Sequence, residues 1–224
     1  GKDVEKAWLA VDTQVITRDV AKQIGNPDLK GFRLTQVYPG TSAEAAGLKV
    51  GDFIYSVDGE PLEAAAPEDY EELAALVRQY KIGTKAEFGV MRGTEKLTIP
   101  VELTASPRAT REMKEYEDVD FEFKVRDIPF IDKVKEKWPA DKAGALVSKI
   151  EPGGWAAVAN MDTSDLIVKI DSTPIAKVDD VEKKMKELKD AKAKTAVFQV
   201  ERGIYTMFLE FEPKWDATPA AGKE

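Results

Sequence analysis

Few side chains in this sequence are suited to catalysis. It contains no His and no Cys, which removes the usual general base, the commonest metal ligand, the middle member of a Ser-His-Asp triad, thiolate nucleophiles and disulfides. A serine mechanism without His needs a Lys as base. Ser42, Ser148 and Ser164 are available, but nothing singles out a Ser–Lys pair, and Ser42 is expected to be a helix N-cap in a small-residue turn. The run Glu112 to Asp120 (EMKEYEDVD) gathers carboxylates of the kind that bind a hard cation such as calcium. It lacks the Gly turn and fixed spacing of an EF-hand loop, so a solvated acidic segment is expected. There is no Gly-rich phosphate loop and no dinucleotide fingerprint. No catalytic residue, metal site or cofactor is expected, which leaves binding as the function to explain.

The elements that would position a binding site follow from an internal repeat. Residues 31–62 (GFRLTQVYPGTSAEAAGLKVGDFIYSVDGEPL) align without a gap onto 144–175 (GALVSKIEPGGWAAVANMDTSDLIVKIDSTPI). Pro39/Pro152, Gly40/Gly153, Asp52/Asp165, Ile54/Ile167, Asp58/Asp171 and Pro61/Pro174 are identical, and Phe88–Gly93 recurs as Phe198–Gly203. Each copy reads in the same order. A short apolar strand (8–11; 121–125) leads through a charged connector to a second strand (32–38; 145–151) and a small-residue helical turn (42–47; 155–160). An alternating strand (53–57; 166–170), an amphipathic helix (68–80; 179–190) and two strands flanking Arg-Gly (86–91 and 95–103; 195–201 and 204–212) complete it. The predicted class is mainly β with α (α+β): two domains, each a small five- to six-stranded barrel or sandwich with one or two helices. The expected boundaries are a first domain over 1–104, a linker over 105–116 that carries Ser106-Pro107, a second domain over 117–213 and a poorly ordered tail over 214–224.

At 43% hydrophobic residues the chain has the apolar material for two cores. A net charge of −8 argues against nucleic acid, whose phosphates attract Lys and Arg. No apolar run approaches the roughly 18 residues of a bilayer span, and no basic-then-apolar signal segment opens the chain, so membrane insertion is not expected. Opening at Gly1 without Met, the chain reads as a processed or excised piece of something longer.

Residues 29–54 (LKGFRLTQVYPGTSAEAAGLKVGDFI) resemble the PDZ domains of bacterial HtrA-type (Deg, Do-like) serine proteases: an apolar strand, Pro-Gly, Ala46-Gly47-Leu48, Gly51-Asp52, then a strand ending in Asp58-Gly59. The resemblance covers nearly all of 4–103. The second copy diverges, with Asn160-Met161 for Gly-Leu, Ser164 for Gly and Asp171-Ser172 for Asp-Gly. Asn is tolerable there because it accepts left-handed backbone angles. Phe121-Glu-Phe-Lys-Val-Arg-Asp still looks like the opening of an HtrA-type second PDZ domain.

The resemblance implies binding of extended or C-terminal peptide segments by strand addition, with a helix as the opposite wall and loop N–H groups holding the terminal carboxylate. By resemblance the loop and strand are Trp8, Leu9, Ala10 and Val11 in the first domain, and Phe121, Glu122, Phe123, Lys124 and Val125 in the second. The helix faces are Tyr70, Leu73, Ala74 and Val77, and Val181, Met185 and Leu188. Core packing accounts for each of these apolar positions equally well. Leu9 and Val11 are the stronger pocket residues, Lys124 reads as a solvated Lys, and Pro39-Gly40 and Asp58-Gly59 are turns. The family further implies the substrate-recognition and regulatory part of a periplasmic or envelope protease, with oligomers formed through the parent protein and a trypsin-like domain before residue 1. Alternatives are a stand-alone PDZ scaffold of an envelope complex and a regulator of a membrane-embedded protease.

Overall fold

The computed structural model describes residues 5–213 and 215 of the chain. The chain divides into two compact units, 1–107 and 108–224.

In the first unit the elements are β1 (Ala7–Trp8), β2 (Val11–Val15), α1 (Arg18–Gln23), β3 (Phe32–Val37), α2 (Ser42–Ala45), β4 (Phe53–Val57) and β5 (Glu60–Pro61). A 3-10 turn (Pro67–Glu71), α3 (Glu72–Val77), β6 (Lys85–Arg92), β7 (Glu95–Glu102) and β8 (Thr104–Ala105) follow. The second unit has a 3-10 turn (Thr110–Glu112), β9 (Glu115–Asp118), β10 (Phe123–Asp127), α4 (Phe130–Lys135), β11 (Ala145–Ile150) and α5 (Trp155–Val158). It continues with β12 (Leu166–Ile170), β13 (Thr173–Pro174), α6 (Val178–Asp190), β14 (Ala196–Arg202) and β15 (Tyr205–Phe211).

The first sheet runs β2-β3-β4-β6-β7, with β5 beside β4, and β1 pairs separately with β8. The second runs β15-β14-β12-β11-β10-β9, with β13 beside β12. Among the described residues all pairs are antiparallel, and neither path closes into a barrel. The alternation expected of half-buried strands is plain in β7, where Ile99 and Val101 face inward while Thr98, Pro100 and Glu102 stand exposed. Pro100 is tolerated because β7 is an edge. Phe32, Leu34, Ile54 and Phe88 centre the first core, and Phe121, Phe123, Ile170 and Phe198 the second.

Repeated polar devices explain several of the identities between the copies. Asp52, 1% exposed, takes both Nε and Nη2 of Arg92 at 2.8 Å, and also accepts the Lys49 N–H at 2.9 Å. Asp165 does the same with Arg202 at 2.6 and 2.7 Å and with the Asp162 N–H. Asp69 and Asp180, each in the first turn of a helical segment, accept the two backbone N–H groups just before that segment, Ala65 and Ala66 in one case, Ala176 and Lys177 in the other. Asn160 lies at φ +69°, the left-handed angle for which Asn was expected to substitute for Gly. Gly31 is required for space as well as angle, since a Cβ there would meet the Ile54 carbonyl oxygen at 2.1 Å.

Several local expectations differ from the fold. The first strand of the first copy is two short pieces, β1 and β2, because the chain turns at Leu9-Ala10, where the Val11 N–H donates to the Leu9 carbonyl at 2.6 Å. The helix expected over 68–80 is a 3-10 turn followed by the six-residue α3. Short helices α1 and α4 occupy what read as charged connectors. The N-cap of α2 is Thr41 rather than Ser42, whose hydroxyl donates to the Glu102 carbonyl at 2.6 Å. Ala105 pairs in β8, and Glu115 and Tyr116 of the expected linker open β9. Residues 214 and 216–224 of the expected tail lie outside the described residues. Trp215 does not fit a loose tail: it packs against Phe121 at 5.5 Å between ring centroids and donates from Nε1 to the Ala193 carbonyl at 2.9 Å.

Candidate functional site: an open strand edge facing a helix

In the first unit, among the described residues, β2 is the last strand of its sheet, bonded to β3 on one side only. Its other edge looks toward α3 across a cleft of about 470 Å³, a volume in the range of ligand pockets. The cleft is lined by Trp8, Leu9, Val11 and Thr13 from the loop and strand, and by Leu73, Ala74 and Val77 from the helix. Spacings of three and four put the helix residues on one face. Leu73 and Val77 are buried in the floor, whereas Ala74 is exposed and leaves the wall low. Lys6 and Arg78 place two cations on the rim of an otherwise acidic protein, Arg78 being bridged to Glu71 at 2.6 Å.

Trp8 is held in place by Tyr38, 5.7 Å away ring to ring. The Tyr38 hydroxyl donates to the Asp12 carboxylate at 2.7 Å, and burial together with that bond pushes its pKa up to about 12. The loop is fixed from behind by the Tyr38 N–H, which donates to the Ala10 carbonyl at 3.0 Å. Two expected site residues do not line the cleft: Ala10 is 1% exposed and belongs to the core, and Tyr70 stands 66% exposed in the 3-10 turn, a segment that neighbours β2.

The second unit differs at the corresponding edge. Phe121, Phe123, Val125, Val181, Met185 and Leu188 come together as interior residues, each 5% exposed or less, as are Leu9, Leu73 and Val77 in the first unit; what differs is the strand edge beside them. Phe121 sits among Phe198, Phe211 and Trp215, so the aromatic loop residue that was expected in a groove is core. The free edge of β10 is covered by β9, with Phe123 opposite Asp118, Lys124 opposite Glu117, Val125 opposite Tyr116 and Arg126 opposite Glu115. Lys124 reaches Glu115 at 3.3 Å and Glu117 at 3.8 Å across that ladder. The acidic run is therefore a strand rather than a solvated segment, and its Asp118 is 4% exposed. The signal for it was the alternation of Glu115 and Glu117 with Tyr116 and Asp118, obscured because three of the four are acids. Among the described residues no group of three or more carboxylates is placed to hold a metal ion.

An open antiparallel edge strand, a facing helix and a short apolar loop at the strand's start are the parts of a strand-addition peptide groove, and comparison with known proteins places them. A model described as a PDZ domain matches residues 33–81. A probable periplasmic serine endoprotease, DegP-like, of Bartonella henselae is 27% identical over 207 residues, covering 92% of this chain and 40% of the relative. The protein of the same description in Rhizobium meliloti is 26% identical, covering 88% of this chain and 39% of its own length. The solved structure of the HtrA-type protease AlgW with decapeptide is 24% identical over 47% of this chain and 31% of its own, at a TM-score of 0.39. The chain carries a PDZ domain and is homologous, over most of its length, to proteins described as probable periplasmic DegP-like serine endoproteases. It spans about 40% of the length of these curated relatives. Among the described residues no helix is long and apolar enough to cross a membrane.

Proposed function

We propose that the first unit captures extended peptide segments, and that the chain is the substrate-recognition and regulatory part of a periplasmic HtrA-like serine protease rather than a catalyst itself. The observation that carries this is the unpaired edge of β2 facing α3 across an apolar cleft. A peptide added there gains main-chain bonds from β2 whatever its sequence, and selectivity arises where alternate side chains drop against Leu9, Val11, Leu73 and Val77. The loop before β2 faces the carboxyl end of a peptide running antiparallel to the strand, and Lys6 and Arg78 complement that charge. The protease context and the periplasm are supported by the descriptions of the relatives, and the absence of His and Cys from the chain supports a non-catalytic role.

The test is a titration of the chain with peptides ending in apolar residues, each as free acid and as C-terminal amide, against wild type and Ala74→Trp. Ala74 is exposed on α3, so the indole fills the cleft without entering the core. Saturable binding to the free acids, weakened by amidation and lost in Ala74→Trp, is expected. Binding indifferent to Ala74→Trp would place the peptide elsewhere and overturn the assignment.

A further inference from the structure

The two units share an element order but not the state of the edge that faces the long helix. In the first that edge, on β2, is open; in the second it is filled by β9. β9 lies antiparallel to β10 and packs on α6 as well, so it sits between strand and helix. Its direction brings its carboxyl end, Asp118, to the start of β10 at Phe123. This is the placement and polarity that a strand-added peptide would have.

The side chains of the segment are matched to their seats. Glu115 and Glu117 point to solvent, while Tyr116 packs on the second core and Asp118 is buried. The Asp118 carboxylate accepts the backbone N–H of Phe121 at 2.8 Å and of Asp120 at 3.1 Å. Backbone amides of the turn entering β10 thus grip a carboxylate, the group a C-terminal peptide would offer. Two residues earlier on the other side of Tyr116, Lys114 pairs with Asp179 and Glu182 on α6. A basic residue, an aromatic residue and a carboxylate therefore occupy alternate positions, each against a complementary surface.

We infer that residues 114–118 are a tethered ligand in a second peptide groove, and that this groove, when β9 leaves it, takes an extended segment with the alternate pattern basic, aromatic, carboxylate. The inference rests on reading the first groove as a peptide site. The tether is the short turn 119–122, and so short a link gives an effective concentration of about millimolar or more. A free peptide therefore competes only when the tethered segment is weakened, which makes the second site conditional and the first constitutive.

The experiment uses the full chain and a synthetic peptide of residues 113–118 (Met-Lys-Glu-Tyr-Glu-Asp), with backbone amide NMR as readout. Lys114→Glu combined with Tyr116→Ser loosens β9. In that variant the peptide is expected to shift β10 and α6 amides and to bind at least about tenfold more tightly than to wild type, where the tether outcompetes it. A variant with a native spectrum and no response at β10 or α6 overturns the inference. If the variant's second unit fails to fold, hydrogen exchange on the wild type decides. Amides of β9 exchanging at least about tenfold faster than those of the β10–β11 ladder show local opening and support it, and equal rates make β9 an inseparable part of the sheet and overturn it. An apolar C-terminal peptide followed at Val11–Val15 and Glu72–Val77 in the same samples reports the first groove, so failure at one site is distinguished from failure at the other.

Discussion

The Asp118 carboxylate accepts the Phe121 backbone N–H at 2.8 Å and the Tyr116 hydroxyl at 2.7 Å while it is 4% exposed. Burial outweighs these bonds and holds its pKa above the ordinary value of 3.8. A pKa raised in the folded state means that the native protein holds the proton more firmly than the unfolded chain. That stabilisation is complete below the unfolded value and is lost as pH rises through the folded one. Asp118→Asn keeps an acceptor for the Phe121 N–H and cannot ionise. Its stability relative to wild type should therefore grow as pH is raised from about 4 to about 6. Urea midpoints for the two proteins that differ by a constant across that window would contradict the assignment.

Arg92 is the charge partner of Asp52 among the described residues, and Asp52 is 1% exposed. Arg92→Ala strands that carboxylate in the interior and is expected to cost about 3 kcal/mol. Arg202→Ala should do the same through Asp165, 0% exposed. Equilibrium urea unfolding measures both, and a loss under about 0.5 kcal/mol in either would show that the pair is dispensable.

Gly31→Ala places a Cβ 2.1 Å from the Ile54 carbonyl oxygen at φ +119°, whereas Gly25→Ala at φ +79° meets nothing within 4 Å. Both are strained, but only the first forces β3 away from β4. Gly31→Ala is expected to destabilise well beyond the ~1 kcal/mol of the angle alone, and Gly25→Ala by about that amount. Thermal unfolding that ranks them equally would contradict the close approach.

Phe121 and Tyr70, both expected at a groove with core packing an equal reading, differ sharply in burial. Phe121→Ala should cost about 3–5 kcal/mol as a core deletion. Tyr70→Ala, at a residue 66% exposed, should change stability by less than about 0.5 kcal/mol. It should also leave peptide affinity at the first groove unaltered, which the same titration checks.

Much of the fold was legible because its turns are written in residue types. Pro39-Gly40, Gly47, Gly51 and Asp58-Gly59 mark one copy, and the second was found through its matching Pro, Asp and Ile positions despite Asn160 and Ser164. In the first groove Leu9, Val11, Leu73, Ala74 and Val77 were named from the sequence, and the structure brings them to one cleft. The helix was expected from residue 68 because its amphipathic pattern runs back that far, whereas Pro67 opens a 3-10 turn that contains Tyr70 and α3 begins at Glu72. The Asp–Arg pairs joined two visible repeats whose contact depends on β4 lying beside β6, and β12 beside β14, which spacing alone does not reveal. β9 was hidden by composition. A strand of three acids and a Tyr holds because Lys124 reaches Glu115 and Glu117 and the Phe121 N–H donates to Asp118, partners that a reading of the four residues alone does not reveal.

The central claim is that peptide joins the open edge of β2. The most direct measurement is amide NMR of the full chain with an apolar C-terminal peptide, combined with hydrogen exchange. The account predicts shifts confined to Trp8–Val15 and Glu72–Arg78 and slowed exchange along β2 on binding, both lost in Ala74→Trp. Binding that leaves the β2 amides unprotected, or shifts that centre on another surface, would contradict it.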